Sequence, residues 1–119
     1  MLSILELVLP KEILEHFVVI NIEIQSKEVH LYLDERNEIP VEYKHEKLIS
    51  KGFHPVAVIQ DFPLRNKALY LHVRRRKWEI ESTGKIVSKT WNLMAEGTRY
   101  SNEFATFLKG LLGYLPDKF

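Results

Sequence analysis

The spacing of apolar residues predicts helices followed by a β-hairpin in the first third of the chain. Residues 2–17 carry apolar side chains at roughly helical intervals, and Pro10 suits the first turn of a second short helix. From Val18 the period changes to two, which predicts a strand as far as Gln25. Residues 28–34 alternate again after a short polar turn, so the two strands are expected to pair as a hairpin.

The middle of the chain predicts three further strands joined by polar connections. Runs of β-branched and aromatic residues mark the strands, and Gly, Pro, Asn and Asp mark the turns. The predicted strands are residues 53–59, 68–80 and 86–91; the connections are a polar loop with one helical turn at 35–51, a turn at 61–66 and a hairpin loop at 81–85.

The end of the chain returns to a helical period. Ser101 can cap a helix that Gly113 and Pro116 bring to an end. Its apolar stripe comprises Phe104, Phe107, Leu108, Leu111, Leu112 and Leu115. The pattern therefore predicts an α+β fold, with an antiparallel sheet of about five strands, short N-terminal helices and a C-terminal helix. We expect one domain over 1–119, made of a helix and hairpin (1–39), a ribbon-like β region (40–97) and a C-terminal helix (98–116).

Composition agrees with a single folded domain. The chain has 119 residues, of which 45% are hydrophobic and 28% charged, and it contains no cysteine. Disulfides and thiolate metal sites are therefore excluded. The apolar runs are too short to span a bilayer, and no basic segment precedes an apolar one at the start, so we expect a cytoplasmic protein with no membrane partner.

The charge distribution is uneven although the net charge is only +1. Residues 1–60 carry six Lys or Arg against ten Asp or Glu, whereas residues 61–119 carry eleven against six. Such asymmetry between halves is a recognised indication of a polyanionic partner. Candidate chemistry is therefore expected in the second half.

The densest feature there is the run Arg74-Arg75-Arg76-Lys77-Trp78 on a predicted strand. Alternation places Arg74 and Arg76 on one face with Trp78, and Arg75 and Lys77 on the other. Adjacent cations repel one another, whereas a DNA backbone neutralises them and releases counterions. This interpretation requires the guanidinium groups to be exposed and not engaged by the protein's own acids. The simpler alternative is a solvated edge strand whose cations prevent aggregation.

The predicted DNA-binding set extends this run in both directions. Arginine offers a bidentate fork to phosphate, and an aromatic ring can stack on a base. The set is Arg65, Lys67, His72, Arg74, Arg75, Arg76, Lys77, Trp78, Lys85, Lys89 and Arg99.

Catalytic and metal chemistry find little support in the sequence. The five histidines lack regular metal-ligand spacing; His30 and His72 can meet across strands, but such a pair alone does not predict a metal site. No phosphate loop or nucleophile elbow is present. We therefore predict no enzyme, no metal and no cofactor. A metal-dependent nuclease remains an alternative that would need a cluster among Asp34, Glu38, Glu42, Glu79 and Glu81.

Three segments carry a family resemblance. Gln60–Arg65 (QDFPLR), Tyr70–Trp78 (YLHVRRRKW) and Gly97–Arg99 (GTR) together resemble the N-terminal region of insertion-sequence transposases of the ISL type. Leu48–Pro55 (LISKGFHP) makes the chain more similar still to ISAon-type transposase N-terminal regions. The resemblance covers about residues 40–112.

The resemblance implies a role at the ends of a bacterial mobile element. In the ISL type, two Cys-x-x-Cys pairs form a zinc ribbon that presents the basic strand to terminal inverted repeats. The corresponding segments here, 42–45 and 79–84, contain no thiol, so we expect packing through Trp78, Trp91 and the hairpin to replace the metal. The family's acidic triad belongs to a ribonuclease-H-like domain with no counterpart in these residues.

Two functions follow as expectations from this resemblance. The first is a non-catalytic DNA-binding N-terminal or accessory domain of a transposase, which recognises terminal inverted repeats. The second is a protein-interaction module that docks on a separate catalytic transposase subunit through the C-terminal apolar stripe. The favoured interpretation of the stripe itself is that it packs on the domain's own sheet. A homodimer is compatible with either.

Overall fold

A computed structural model describes Leu9 and residues 11–64, 66–91 and 102–112, without the side chains of residues 61–64 and 102. Within these ranges the fold is α+β, as predicted, but strands dominate. The elements are α1 (Lys11–His16), β1 (Phe17–Ile24), β2 (Glu28–Glu35), a 3-10 turn (Val41–Tyr43), β3 (Leu48–Phe53), β4 (Ala57–Leu64), β5 (Lys67–Arg74), β6 (Arg76–Ile80), β7 (Ile86–Val87) and α2 (Asn102–Leu112). Neither described helix is long and apolar enough to cross a membrane.

The strands form two sheets. The large sheet has the order β1-β2-β5-β4, and the small sheet has the order β3-β6-β7. The predicted β1–β2 hairpin is confirmed, and β4 pairs antiparallel with β5. In contrast, β2 and β5 run parallel, because β3 and β4 intervene in the sequence and supply the long connection that a parallel pair needs.

The main core lies on one face of the large sheet. Alternate residues of β2 and β5 point into it, and the described residues of α1 and α2 cover them. Gly110 of α2 lies over β4, where an added Cβ would meet Ile59 at 3.5 Å, an ordinary van der Waals distance. The core is built from Leu9, Ile13, Phe17, Val29, Leu31, Leu33, Leu69, Leu71, Val73, Trp91, Phe104, Phe107, Leu108 and Leu111.

This packing corrects one expectation about the C-terminal stripe. Phe104 and Leu108 are fully buried, and Phe107 and Leu111 are nearly so. These four side chains are therefore occupied by the protein's own sheet and are not available as anchors for a separate subunit. Leu115 and the predicted cap at Ser101 lie outside the described residues, as do the predicted helical residues 2–8.

A second, smaller core stabilises the small sheet. Trp78, Ile80 and Val87 are buried together, with Tyr43 and Leu48 packed against them. This cluster holds β3, β6 and β7 together around their apolar side chains. The expected part of Trp78 in packing is confirmed.

The predicted strands of the middle region differ from the observed ones at several boundaries. The predicted single antiparallel sheet is wrong: the strands divide between two sheets, and one pair is parallel. The predicted strand 68–80 divides at Arg75, because Val73 is buried in the main core and Trp78 in the smaller one. Residues 48–51, predicted as loop, belong to β3, and residues 54–56 of the predicted strand 53–59 separate β3 from β4. Strand β4 continues to Leu64. Of the predicted strand 86–91, only Ile86–Val87 form strand pairs.

Two turns follow the expected chemistry. The β6–β7 hairpin turns at Gly84, whose φ of 74° suits a residue without a Cβ. Asn66, between β4 and β5, has a φ of 67°, a conformation that asparagine tolerates. The predicted hairpin loop at 81–85 is therefore confirmed, whereas residues 61–64 of the predicted turn at 61–66 belong to β4.

Candidate nucleic-acid interface

Arg74 is engaged by an acid of the neighbouring strand. The parallel register places it beside Asp34. Its Nε and Nη2 donate to the two carboxylate oxygens of Asp34, both at 2.7 Å, and these hydrogen bonds hold the pKa of Arg74 above its usual range. The guanidinium carbon also lies 4.2 Å from the ring centroid of Phe53. Arg74 therefore cannot offer its full fork to a phosphate without giving up Asp34.

Arg76 is tied to the end of β2. Its backbone N–H donates to Glu35 Oε1 and its Nε donates to the Glu35 carbonyl, both at 2.8 Å. Its guanidinium carbon lies 4.7 Å from the centroid of the Phe53 ring, so Arg74 and Arg76 both contact this ring. The β3 bulge, where Gly52 has a φ of 82°, precedes Phe53 and sets its position.

Arg75 lies half-buried between β6 and the segment that follows β7. Its Nη2 donates to the Lys89 carbonyl at 3.3 Å, while its buried Nε has no hydrogen-bond partner in the described ranges. Lys89 in turn places its ammonium 3.9 Å above the Trp91 ring. The arginine run is thus largely built into the structure, and the expected freely projecting row of four cations is wrong.

Trp78 must also be removed from the predicted contact set. Its side chain is only 5% exposed and packs against Ile80 and Val87. Stacking on a base needs an accessible ring face, which this tryptophan lacks.

A positively charged surface nevertheless remains on the solvent side of the small sheet. We call Lys51, His54, Arg75 and Lys77 the basic face. His54 donates its backbone N–H to the Arg75 carbonyl at 2.8 Å, and its ring Nε2 contacts Ser88 Oγ at 2.5 Å. Burial lowers the pKa of His54, and the charges of Arg75 and Lys77 lower it further.

The charge balance of the basic face favours an anionic partner. Glu79 lies on the same side and forms an ion pair with Lys51 at 3.4 Å. Lys77 forms no ion pair within the described part of the chain. Two cations, Arg75 and Lys77, therefore act on His54 without a carboxylate between them.

The other predicted residues do not converge on this face. His72 and Arg74 lie on the outer side of the large sheet, and Lys67 lies at the opposite end of β5 from Arg74. Lys85 is exposed in the β6–β7 hairpin loop. Lys89 lines a separate pocket. Arg65 and Arg99 lie outside the described residues.

That pocket contains groups that the sequence reasoning missed. It has a volume of about 230 Å³ and is lined in part by His16, Glu35, Lys89 and Trp91. Burial raises the pKa of Glu35, against the opposing effect of the Arg76 N–H, whereas burial and Lys89 lower the pKa of His16. The period of two in β2 was the available signal, since the inward series 29, 31, 33 continues to residue 35.

The indole of Trp91 faces this carboxyl group. The ring is 2% exposed, and its N–H has no hydrogen-bond partner among the residues described. It is close enough to Glu35 to lower the pKa of the carboxyl, so it offsets part of the effect of burial.

The acids named for a nuclease do not gather at one place. The described residues contain no group of three or more His, Asp or Glu side chains arranged to hold a metal ion. Four of the five acids have separate partners: Asp34 binds Arg74, Glu42 accepts from Thr90, Glu79 pairs with Lys51 and Glu81 pairs with Lys47.

No protein-family model, curated protein or solved structure matches this chain. The resemblance to transposase N-terminal regions therefore stays a prediction that depends on four segments, residues 48–55, 60–65, 70–78 and 97–99.

Proposed function

We propose that the protein is a non-catalytic, DNA-binding accessory domain of a transposase, and that it contacts duplex DNA through the basic face. The observation that carries the proposal is the placement of cations beside His54: its backbone N–H donates to the Arg75 carbonyl at 2.8 Å, and burial, then Arg75 and Lys77, lower the pKa of its imidazole. A phosphate bound there would relieve the repulsion between these groups. The transposase context comes from the sequence motifs alone.

The small sheet provides a firm support for such contacts. Lys77 lies on β6. It is followed in sequence by the buried Trp78 and preceded by Arg76, whose backbone N–H donates to Glu35. Arg74 and Arg76 act mainly within the protein in this proposal: the bond of Arg74 to Asp34 joins β5 to β2 inside the large sheet, and the bonds of Arg76 to Glu35 join β6 to β2. The basic face thus binds backbone phosphates, whereas recognition of inverted-repeat sequence is implied by the resemblance only.

Charge reversal at one matched pair of lysines tests this proposal. Lys77→Glu alters the basic face, and Lys27→Glu makes the same change on the exposed turn between β1 and β2. Binding of a labelled inverted-repeat duplex at low salt should weaken roughly tenfold for Lys77→Glu and little for Lys27→Glu. Circular dichroism confirms that both variants fold. Equal losses in the two variants, or no binding by the unaltered protein, would refute the proposed interface.

A further inference from the structure

Two histidines meet on the outer side of the large sheet, opposite the main core. The parallel register of β2 and β5 places His30 beside Tyr70 and Tyr32 beside His72. The Nδ1 atom of His30 and the Nε2 atom of His72 are 2.7 Å apart. On its other side, His30 Nε2 lies 2.9 Å from Glu28 Oε1. The three side chains therefore form a chain of hydrogen bonds across the two central strands.

Aromatic neighbours fix both imidazole rings. His30 stacks on Tyr70 with ring centroids 5.0 Å apart, and His72 stacks on Tyr32 with centroids 4.4 Å apart. The Tyr32 hydroxyl donates in turn to the Glu23 carboxylate. Because each ring is packed against a tyrosine, the two facing nitrogens are held in place.

The hydrogen bonds determine where the protons lie. The Glu28 carboxylate only accepts, so in a pair of neutral imidazoles His30 donates from Nε2 and keeps a lone pair on Nδ1. His72 then donates its Nε2–H to that lone pair.

We propose that His30 Nδ1 and His72 Nε2 form a binding site for a divalent transition-metal ion of the class that prefers imidazole, Zn²⁺ or Cu²⁺. Metal-bound histidines commonly donate a hydrogen bond from their second ring nitrogen to a carboxylate that orients the ring, and Glu28 is positioned to accept this bond from His30 Nε2. The site joins the two parallel strands at the centre of the large sheet. It is separate from the basic face and does not depend on the proposed function.

The rearrangement required for metal binding is small. Metal–nitrogen bonds of about 2.0–2.1 Å at a tetrahedral angle place the two nitrogens about 3.4 Å apart, so the rings must separate by roughly 0.7 Å. The His72 proton moves from Nε2 to Nδ1, and no net proton is released. No third ligand group is arranged around the pair in the described ranges, so water completes the coordination and we expect weaker binding than at a closed structural zinc site.

Calorimetric titration of the tag-free protein with ZnCl₂ and with CuCl₂ tests the site. The unaltered protein should bind one ion, and His30→Gln or His72→Gln should weaken binding at least about tenfold. His45→Gln is the matched control, since His45 is exposed and lies outside the pair; its affinity should stay unchanged. Glu28→Gln should weaken binding roughly ten- to a hundredfold while leaving both ligands in place.

A second measurement separates ligand loss from misfolding. Nitrogen-detected NMR of the unaltered protein should show that Zn²⁺ shifts Nδ1 of His30 and Nε2 of His72 and reverses the tautomer of His72. The proposal is overturned if binding is absent, if His45→Gln weakens it as much as His72→Gln, or if the perturbed ring nitrogens belong to other histidines.

Discussion

The salt dependence of DNA binding tests the basic face quantitatively. Its permanent cations are Lys51, Arg75 and Lys77. About 0.9 counterions are released per phosphate contact, so three contacts predict a slope of about −2.7 in log K against log salt concentration. Lys77→Gln removes one contact, and the slope should change to about −1.8. Because glutamine is neutral and of similar reach, the packing of the small sheet should be preserved.

Fluorescence anisotropy with a labelled duplex, from about 50 to about 200 mM KCl, measures both slopes. Lys27→Gln is the control, because it removes the same single positive charge at a site outside the basic face. The Lys27 carbonyl accepts from the backbone N–H of Ala68, so this lysine lies some nine strand residues from Lys77, roughly 25–30 Å along β5 and β6. That distance exceeds the Debye length of about 10 Å at 0.1 M salt. The reasoning fails if the unaltered protein shows no slope, or if Lys27→Gln reduces it as Lys77→Gln does.

Three further predictions concern stability, each measured by denaturant unfolding. Phe104→Ala should lower the free energy of unfolding by about 3–5 kcal/mol, since Phe104 is fully buried; a loss below 1 kcal/mol, roughly that of an exposed site, would contradict its place in the core. A double-mutant cycle on Asp34 and Arg74, both changed to Ala, should give a coupling of about 0.5–1 kcal/mol that weakens in high salt, because Arg74 is partly exposed; zero coupling would contradict the bidentate pair. For Glu35, the folded state raises the pKa and so holds a proton that the unfolded chain releases. The unaltered protein should therefore lose stability relative to Glu35→Gln as pH rises above 4.5, the ordinary pKa of a glutamate, and parallel pH profiles would be evidence against a buried carboxyl.

Local patterns were sufficient to predict the elements whose partners are close in sequence. The alternation in residues 18–34 predicted the β1–β2 hairpin, because a short turn leaves one neighbour for each strand. The helical stripe from Phe104 to Leu111 predicted both α2 and its buried face.

Pairing between distant segments was not predictable from the same patterns. A period of two indicates which face of β5 is buried but not which strand lies beside it, so the parallel contact with β2 was missed. The partners of the arginines depend on that contact: Asp34 meets Arg74 only through the parallel register. The sequence allowed His30 and His72 to meet across strands. It did not indicate that their ring nitrogens lie 2.7 Å apart, because that distance depends on the parallel register of β2 and β5.

The parallel pairing of β2 with β5 also orders events during synthesis. Asp34 and Arg74 are separated by 40 positions in the chain, so the β1–β2 hairpin emerges from the ribosome well before its central neighbour. Until β5 has been synthesised, the edge of β2 that carries Val29, Leu31 and Leu33 has no neighbouring strand. An unpaired apolar edge is a template for aggregation. Chains truncated before residue 67 should therefore accumulate as insoluble species or be captured by chaperones, whereas chains that include β5 can close the sheet.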